Sequence, residues 1–343
     1  MGREPNVYCT NRVNSHTPEG NLMSINTVLG KCEPRDLGFT LIHEHLAAGM
    51  PGWEFDNAGF DRPRELANIV EKLREIRNLG VSSFVDPCPM ELGRNPELAA
   101  EAADKSGMRV IIATGVYNEA LGFPTHFRMI GADDIAEIYV RELTEGIGHT
   151  GIRAGIIKTA TGGVPGWTVD TEITKHEQKA LRAAARAHKA TGAPILCHNN
   201  ELSPFGRETL DIFESEGVDF NRVLIGHACG VGNMRYYFDI LNRGAWLGFD
   251  RFGIDTIAPD KMRLASLFGL LAVGFDRIML SHDAVACALG RQSKAMLRMI
   301  EKCPNWNYAH ICKNILPTLR KGGVSEQTIR KLTVDNPREY FGG

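Results

Sequence analysis

The feature that most restricts this chain is an eightfold alternation of short apolar runs with amphipathic segments. The apolar runs fall at residues 39–43, 82–86, 110–114, 154–159, 195–198, 223–227, 245–249 and 277–281. Between them, 63–79, 134–145, 174–190 and 207–216 repeat apolar residues at the spacing of a helix with one buried face. Strands joined through helices run parallel, because a parallel pair needs a long crossover. Eight such units predict an α/β fold, a (β/α)8 TIM barrel in a single domain. A doubly wound open sheet is the competing arrangement, since alternation alone does not separate the two. Residues 1–35 are polar and rich in turn formers, and read as an N-terminal extension with a short hairpin. Residues 36–343 then form the barrel, with closing helices expected over 308–321 and 325–336.

Charge and composition narrow the function classes. Lys and Arg total 39 against 41 Asp and Glu, a net charge of -2, so no basic excess exists to neutralise a phosphate backbone and nucleic acid is not an expected partner. The longest apolar stretches, such as 264–273, are too short to cross a bilayer, and no membrane partner is expected. The first residues lack an apolar signal core, and Asn6 breaks the myristoylation pattern. Cys9, Cys32, Cys88, Cys197, Cys229, Cys287, Cys303 and Cys312 show no paired spacing. They read as small apolar fillers in a reducing compartment, so a cytoplasmic location is expected.

The chemistry is concentrated where the strands end. The first strand runs into His43-Glu44-His45. Side chains two apart in a strand share a face, so the two imidazoles form either a chelating pair or a pair of capping histidines. The fourth strand carries Lys158 after a buried apolar run, where a free ammonium is costly to desolvate. It requires a partner carboxylate, or conversion by carbon dioxide into a carbamate able to bridge two cations. The fifth and sixth strands end in His198 and His227, each of which taken alone reads as a core histidine as readily as a ligand. The eighth ends in Ser281-His282-Asp283. Active sites of this fold lie at the carboxyl ends of the strands. Four imidazoles, a lysine and an aspartate therefore converge on one spot, and their coincidence points to a metal site.

The stretches 38–46 (GFTLIHEHL), 151–158 (GIRAGIIK), 225–227 (IGH), 247–250 (LGFD) and 281–283 (SHD) resemble the phosphotriesterase family of the amidohydrolase superfamily, including its lactonase branch. The carboxyl terminus, Asn336-Pro337-Arg338 with Tyr340 and Phe341, resembles that family too. The resemblance implies two divalent metal ions: His43, His45 and Asp283 on the more buried one, His198 and His227 on the more exposed one, and carboxylated Lys158 between them. It also implies a hydroxide shared by the metals as nucleophile. Zinc is the first expectation, and manganese, iron or cobalt suit the same donors. Such cations lower the pKa of water and polarise the substrate oxygen, while Asp283 takes the proton and returns it to the leaving group. Tyr117 matches an aromatic position at the family's metal centre, a tyrosine in its lactonase branch. It reads equally as packing at the barrel rim.

Two departures bear on substrate. Phosphotriesterases carry an acidic residue three positions after the sixth-strand histidine, where this chain has Gly230, and a histidine after the seventh-strand aspartate, where it has Arg251. The usual proton relay is thus missing. Arg251 resembles the lactonase branch, whereas Gly230 departs from that branch as well. Asp250 reads as structural, pairing with Arg251 or holding its loop. In the loops, Met50, Pro51, Trp53 and Phe55, and then Met296, Met299, Trp306 and Tyr308, form apolar strips that read first as rim packing or a homodimer contact, and otherwise as a hydrophobic pocket.

The expected function is a metal-dependent hydrolase of a small-molecule lactone or ester. A phosphotriesterase or amide-cleaving relative is the alternative. A non-catalytic binding barrel is the remote third, disfavoured because Lys158 and Asp283 are both present.

Overall fold

The computed structural model describes residues 24–56, 59–163 and 171–342. Eight strands pair side by side in chain order: β1 (Thr40–Leu41), β2 (Ser83–Asp86), β3 (Arg109–Gly115), β4 (Ile156–Thr161), β5 (Ile195–Asn199), β6 (Val223–Ile225), β7 (Trp246–Phe249) and β8 (Ile278–Leu280). Every pairing is parallel, from Thr40 beside Ser83 at one end to Phe249 beside Leu280 at the other. A doubly wound sheet reverses its strand order midway; this one does not, and the fold is a single-domain (β/α)8 barrel.

Helices cover the sheet for reasons visible in their ends. Arg62–Asn78 starts on Asp61, whose side chain accepts from the Arg64 amide, with proline in the first turn. Lys175–Thr191 opens with a capping box between Thr174 and Glu177 and stops at Gly192, which takes the left-handed conformation with φ 73°. The C-terminal segments differ from expectation. The first begins with a π-helical turn, Ile311–Ile315, before Leu316–Lys321. The second passes through another, Lys331–Asp335, and continues as Asn336–Gly342. A proline follows each wide turn (Pro317 and Pro337), and its ring excludes the regular ladder beneath it.

Two apolar layers result. One lies inside the barrel and takes Ile42, just past β1, with Val85, Ile111, Ala113, Ile156, Leu196, Leu224, Trp246 and Met279 from the other seven strands. The other, with Leu41, Ile157, Cys197 and Ile225, packs against the helices. The barrel floor is closed from both termini. Ile25, in the hairpin of Ile25–Thr27 with Gly30–Cys32, joins the interior layer, and the Asn26 side chain donates to the carbonyls of Leu143 and Ala154 at 2.8 Å each. Tyr340 enters the same layer, and its hydroxyl donates to the Ile195 carbonyl at 2.8 Å. Residues 1–23 of the predicted extension, Cys9 among them, lie outside the described residues.

The seam between β8 and β1 is held by side chains. Glu44 is fully buried; it accepts from Ser281 Oγ at 2.7 Å, from the His282 amide at 2.9 Å, from His282 Nδ1 at 2.5 Å and from the Ala284 amide at 3.0 Å. His282 Nε2 in turn accepts from the Ile311 amide at 2.9 Å. Both nitrogens of His282 are thereby engaged in joining strand ends to the C-terminal helices.

Candidate metal centre

All six predicted ligands meet at the carboxyl end of the barrel. Lys158 Nζ is 3.1 Å from His43 Nε2, and Asp283 Oδ1 is 3.5 Å from His43 Nε2 and 3.1 Å from His45 Nε2. Asp283 Oδ2 stands 3.8 Å from His227 Nε2, and the rings of His198 and His227 meet edge to face with centroids 4.5 Å apart.

Strand alternation explains part of this convergence. Ile156 and Leu196 face the barrel interior, so Lys158 and His198, two residues further on, face the same way above them. Two other ligands depend on breaks in the strands. Ile42 is interior and Leu41 is not, so unbroken alternation sends His43 outward; β1 instead ends at Leu41 and the chain bends at His43. His45 opens a separate short strand, His45–Ala48, paired with Val285–Ala288. The expected continuous strand through His43 and His45 is therefore corrected to two pieces. His227 has the parity of Ile225, an outer-layer residue, and reaches the site through a left-handed φ of 59°.

Asp250 is the hub beneath the ligands. Its Oδ2 lies 2.9 Å from His43 Nδ1, and its Oδ1 lies 3.1 Å from His227 Nδ1 and accepts from the His227 amide at 2.7 Å. Of the two structural roles expected for Asp250, pairing with Arg251 or holding its loop, the pairing is replaced by these contacts to His43 and His227. Its carboxylate fixes two imidazole tautomers and turns both Nε2 atoms toward Asp283. Space for it comes from glycines: a Cβ at Gly248 would stand 2.6 Å from Asp250 Oδ2, and one at Gly226 3.3 Å away. Asp86, at the end of β2, does for His45 what Asp250 does for the others, 3.2 Å from Nδ1.

Electrostatics suit cation binding. Burial, then the nearby Lys158, pushes His43 down to about 3, so it is a neutral imidazole with its Nε2 lone pair facing the site. Burial lowers Lys158 to about 8, well within reach of the neutral amine that reacts with carbon dioxide. For Asp283 burial acts upward, but the Arg251 guanidinium and the hydrogen bond from His45 outweigh it and hold the carboxyl well below its ordinary range. Ligand atoms of His43, His227 and Asp283 lie within 4.8 Å of one another, and neutral imidazoles with a carboxylate are a donor set for zinc-like ions. The residues fit a divalent metal.

The remaining predicted residues are also here. The Tyr117 hydroxyl is 3.0 Å from His198 Nδ1, and burial raises its pKa. Arg251 donates from Nε to Asp283 Oδ2 at 2.9 Å and from Nη1 to both oxygens of Glu201 at 2.7 and 2.6 Å. Trp306 and Tyr308 support the centre from below: Trp306 Nε1 donates to the carbonyls of His282 and Asp283 at 3.0 Å, and the Tyr308 hydroxyl donates to the His45 carbonyl. Sequence reading missed Asp86, Glu201 and the role of Asp250. Asp86 carried the same signal as the ligands, a polar residue ending a strand, whereas Glu201 sits on a loop with no periodicity to mark it.

The phosphotriesterase family model matches residues 23–341. A phosphotriesterase homology protein of Mycobacterium tuberculosis is 34% identical over 326 residues, covering 92% of this chain and 97% of the relative. An aryldialkylphosphatase of Saccharolobus solfataricus is 32% identical, over 90% of this chain and 96% of its own. Among solved structures, the organophosphorus hydrolase from Deinococcus radiodurans superposes with a TM-score of 0.87 at 36% identity, over 95% of this chain and 98% of that one. A variant of a PTE-like lactonase from the same organism gives 0.87 at 35%, over 93% and 100%. With the strand-end histidines, lysine and aspartate gathered as described, this chain belongs to the phosphotriesterase family and is a hydrolase.

Proposed function

We propose that this hydrolase is binuclear and opens hydrophobic lactones or carboxylic esters. His43, His45 and Asp283 would hold one cation, zinc first among the candidates, His198 and His227 the other, and Lys158 as its carbamate would serve both. Bound there, the cations supply an acidified water and polarisation of the acyl oxygen. Asp283 accepts the proton of the attacking water and returns it to the leaving oxygen. Tyr117, whose hydroxyl lies 3.0 Å from His198 Nδ1, would hydrogen-bond the bound substrate.

The observation that carries the choice of substrate is the Arg251–Asp283 contact at 2.9 Å. A guanidinium stays charged at every accessible pH, so it cannot relay the proton, and it keeps Asp283 acidic once protonated. Lactone opening leaves a strongly basic alkoxide tethered to the product, and an acidic Asp283 gives its proton back directly. An activated phosphotriester releases a weakly basic phenolate that does not need that proton, which must then leave by a route absent here. Exposed Met50 and Phe55 on the first loop support a hydrophobic substrate. The seven free cysteines among the described residues support a cytoplasmic location. We also expect a homodimer, with exposed apolar side chains such as Leu297 and Ile300 as the surface a second copy would cover.

The test is a panel of alkyl-substituted lactones, aryl esters, paraoxon-like triesters and N-acyl amides at matched metal content. The best lactone or ester is expected to exceed the best triester and the best amide in kcat/KM. The reverse order would reassign the substrate class.

A further inference from the structure

The acidic side chain missing at Gly230 has a counterpart elsewhere in the fold. Glu201, on the loop after β5, is buried with both oxygens on Arg251 Nη1 at 2.7 and 2.6 Å. A Cβ placed on Gly230 would stand 2.4 Å from Glu201 Cγ and 3.0 Å from Glu201 Oε1. Positions 201 and 230 thus compete for one volume beside Arg251. Gly230 is not among the residues of positive φ, so its backbone accepts any side chain; what bars one is Glu201.

We infer that Glu201 is a positioning residue of this site, supplying from the fifth strand's loop the carboxylate that the family resemblance implies after the sixth strand's histidine. The inference deepens the lactonase reading and rests on it, in that Asp283 is taken as the proton carrier. A buried guanidinium needs anionic partners for several donors at once. Glu201 occupies Nη1 and leaves Nε for Asp283 Oδ2, so Asp283 keeps Oδ1 for His45 and His43. Without Glu201, Arg251 has one anion left among these contacts and turns more of its donors onto Asp283, drawing that carboxylate away from the imidazoles. Glu201 acts only through Arg251, so its loss affects turnover more than substrate affinity.

The experiment compares wild type, Glu201→Gln, Glu201→Gly, Gly230→Asp and the exchange variant Glu201→Gly with Gly230→Asp, all as the full chain loaded with metal. It reads kcat and KM on the best lactone or ester, Tm and bound metal. Glu201→Gln keeps the volume, and is expected to lower kcat roughly tenfold with KM within about twofold and metal content unchanged. Gly230→Asp alone should lower Tm by roughly 2–4 °C through the collision with Glu201. The exchange variant should recover more than half of the Tm lost by either single variant, and regain kcat over Glu201→Gly. Wild-type kcat in Glu201→Gln, or a raised KM with kcat intact, would overturn the inference. So would an exchange variant whose Tm loss is the sum of the single losses. If wild type turns over no lactone or ester, the substrate reading fails, while the Tm comparison still decides whether 201 and 230 share one role.

Discussion

His227 and Asp283 are the non-glycine residues with left-handed backbone among those described, at φ 59° and 53°, and both are candidate ligands. Such conformations cost about 1–3 kcal/mol each and persist only where neighbours over-determine them. Asp283 is held by its amide on the His43 carbonyl at 3.0 Å and by Trp306 on its own carbonyl; His227 is held by Asp250. Since Asp283 is proposed to carry the proton, Asp283→Asn should lower kcat on the preferred lactone by at least about a hundredfold. Near-normal turnover in a metal-replete variant would assign the transfer elsewhere. Glu91, which holds the Tyr117 amide, offers a test at a residue that is not itself a candidate ligand. Burial raises its pKa to about 7, against the opposing effect of its hydrogen bond from the Tyr117 amide and of Arg94, and its Oε2 has no partner among the described residues. The folded state keeps this proton where the unfolded state has lost it, so stability is full below about 4.5 and falls as pH rises through about 7. Glu91→Gln removes that titration. Its Tm relative to wild type should therefore climb between pH 5 and pH 8 (values set by the experiment, roughly bracketing the window), and a pH-independent difference would contradict the assignment.

Among elements, the seam between β1 and β8 is the place where backbone pairing gives way to side chains. Glu44 collects four donors there with no exposure to water. Glu44→Ala strands the buried amides of His282 and Ala284 and the Nδ1 of His282, at a cost of about 3–5 kcal/mol. Thermal unfolding of the variant should fall by roughly 5–10 °C, and a loss under about 2 °C would show that the seam is held by other contacts. Alternation placed Lys158 and His198 because regular strands repeat every two residues. It did not place His43 and His227, which depend on a bend and a left-handed residue. It also could not show that Gly226 and Gly248 are small because Asp250 fills the space between them.

For the whole molecule, the proposed binuclear centre makes metal content the first measurement. Protein purified without chelators should carry about two equivalents of divalent metal per chain, and Lys158→Ala should lose metal and activity, partly restored by short carboxylic acids. Full activity with one equivalent or less would defeat the two-metal reading. The sequence by itself determined the barrel and marked the candidate ligands, because parallel β/α units repeat visibly and because polar residues ending apolar strands stand out against their surroundings. Boundaries moved where side-chain demands overrode periodicity, as at His43 and at the π-helical turns before Pro317 and Pro337. Only the tertiary structure decided which carboxylates serve the ligands. Asp250, Asp86 and Glu201 find their partners between 23 and 207 residues away in the chain, and no local pattern records a contact made by folding distant strand ends onto one mouth.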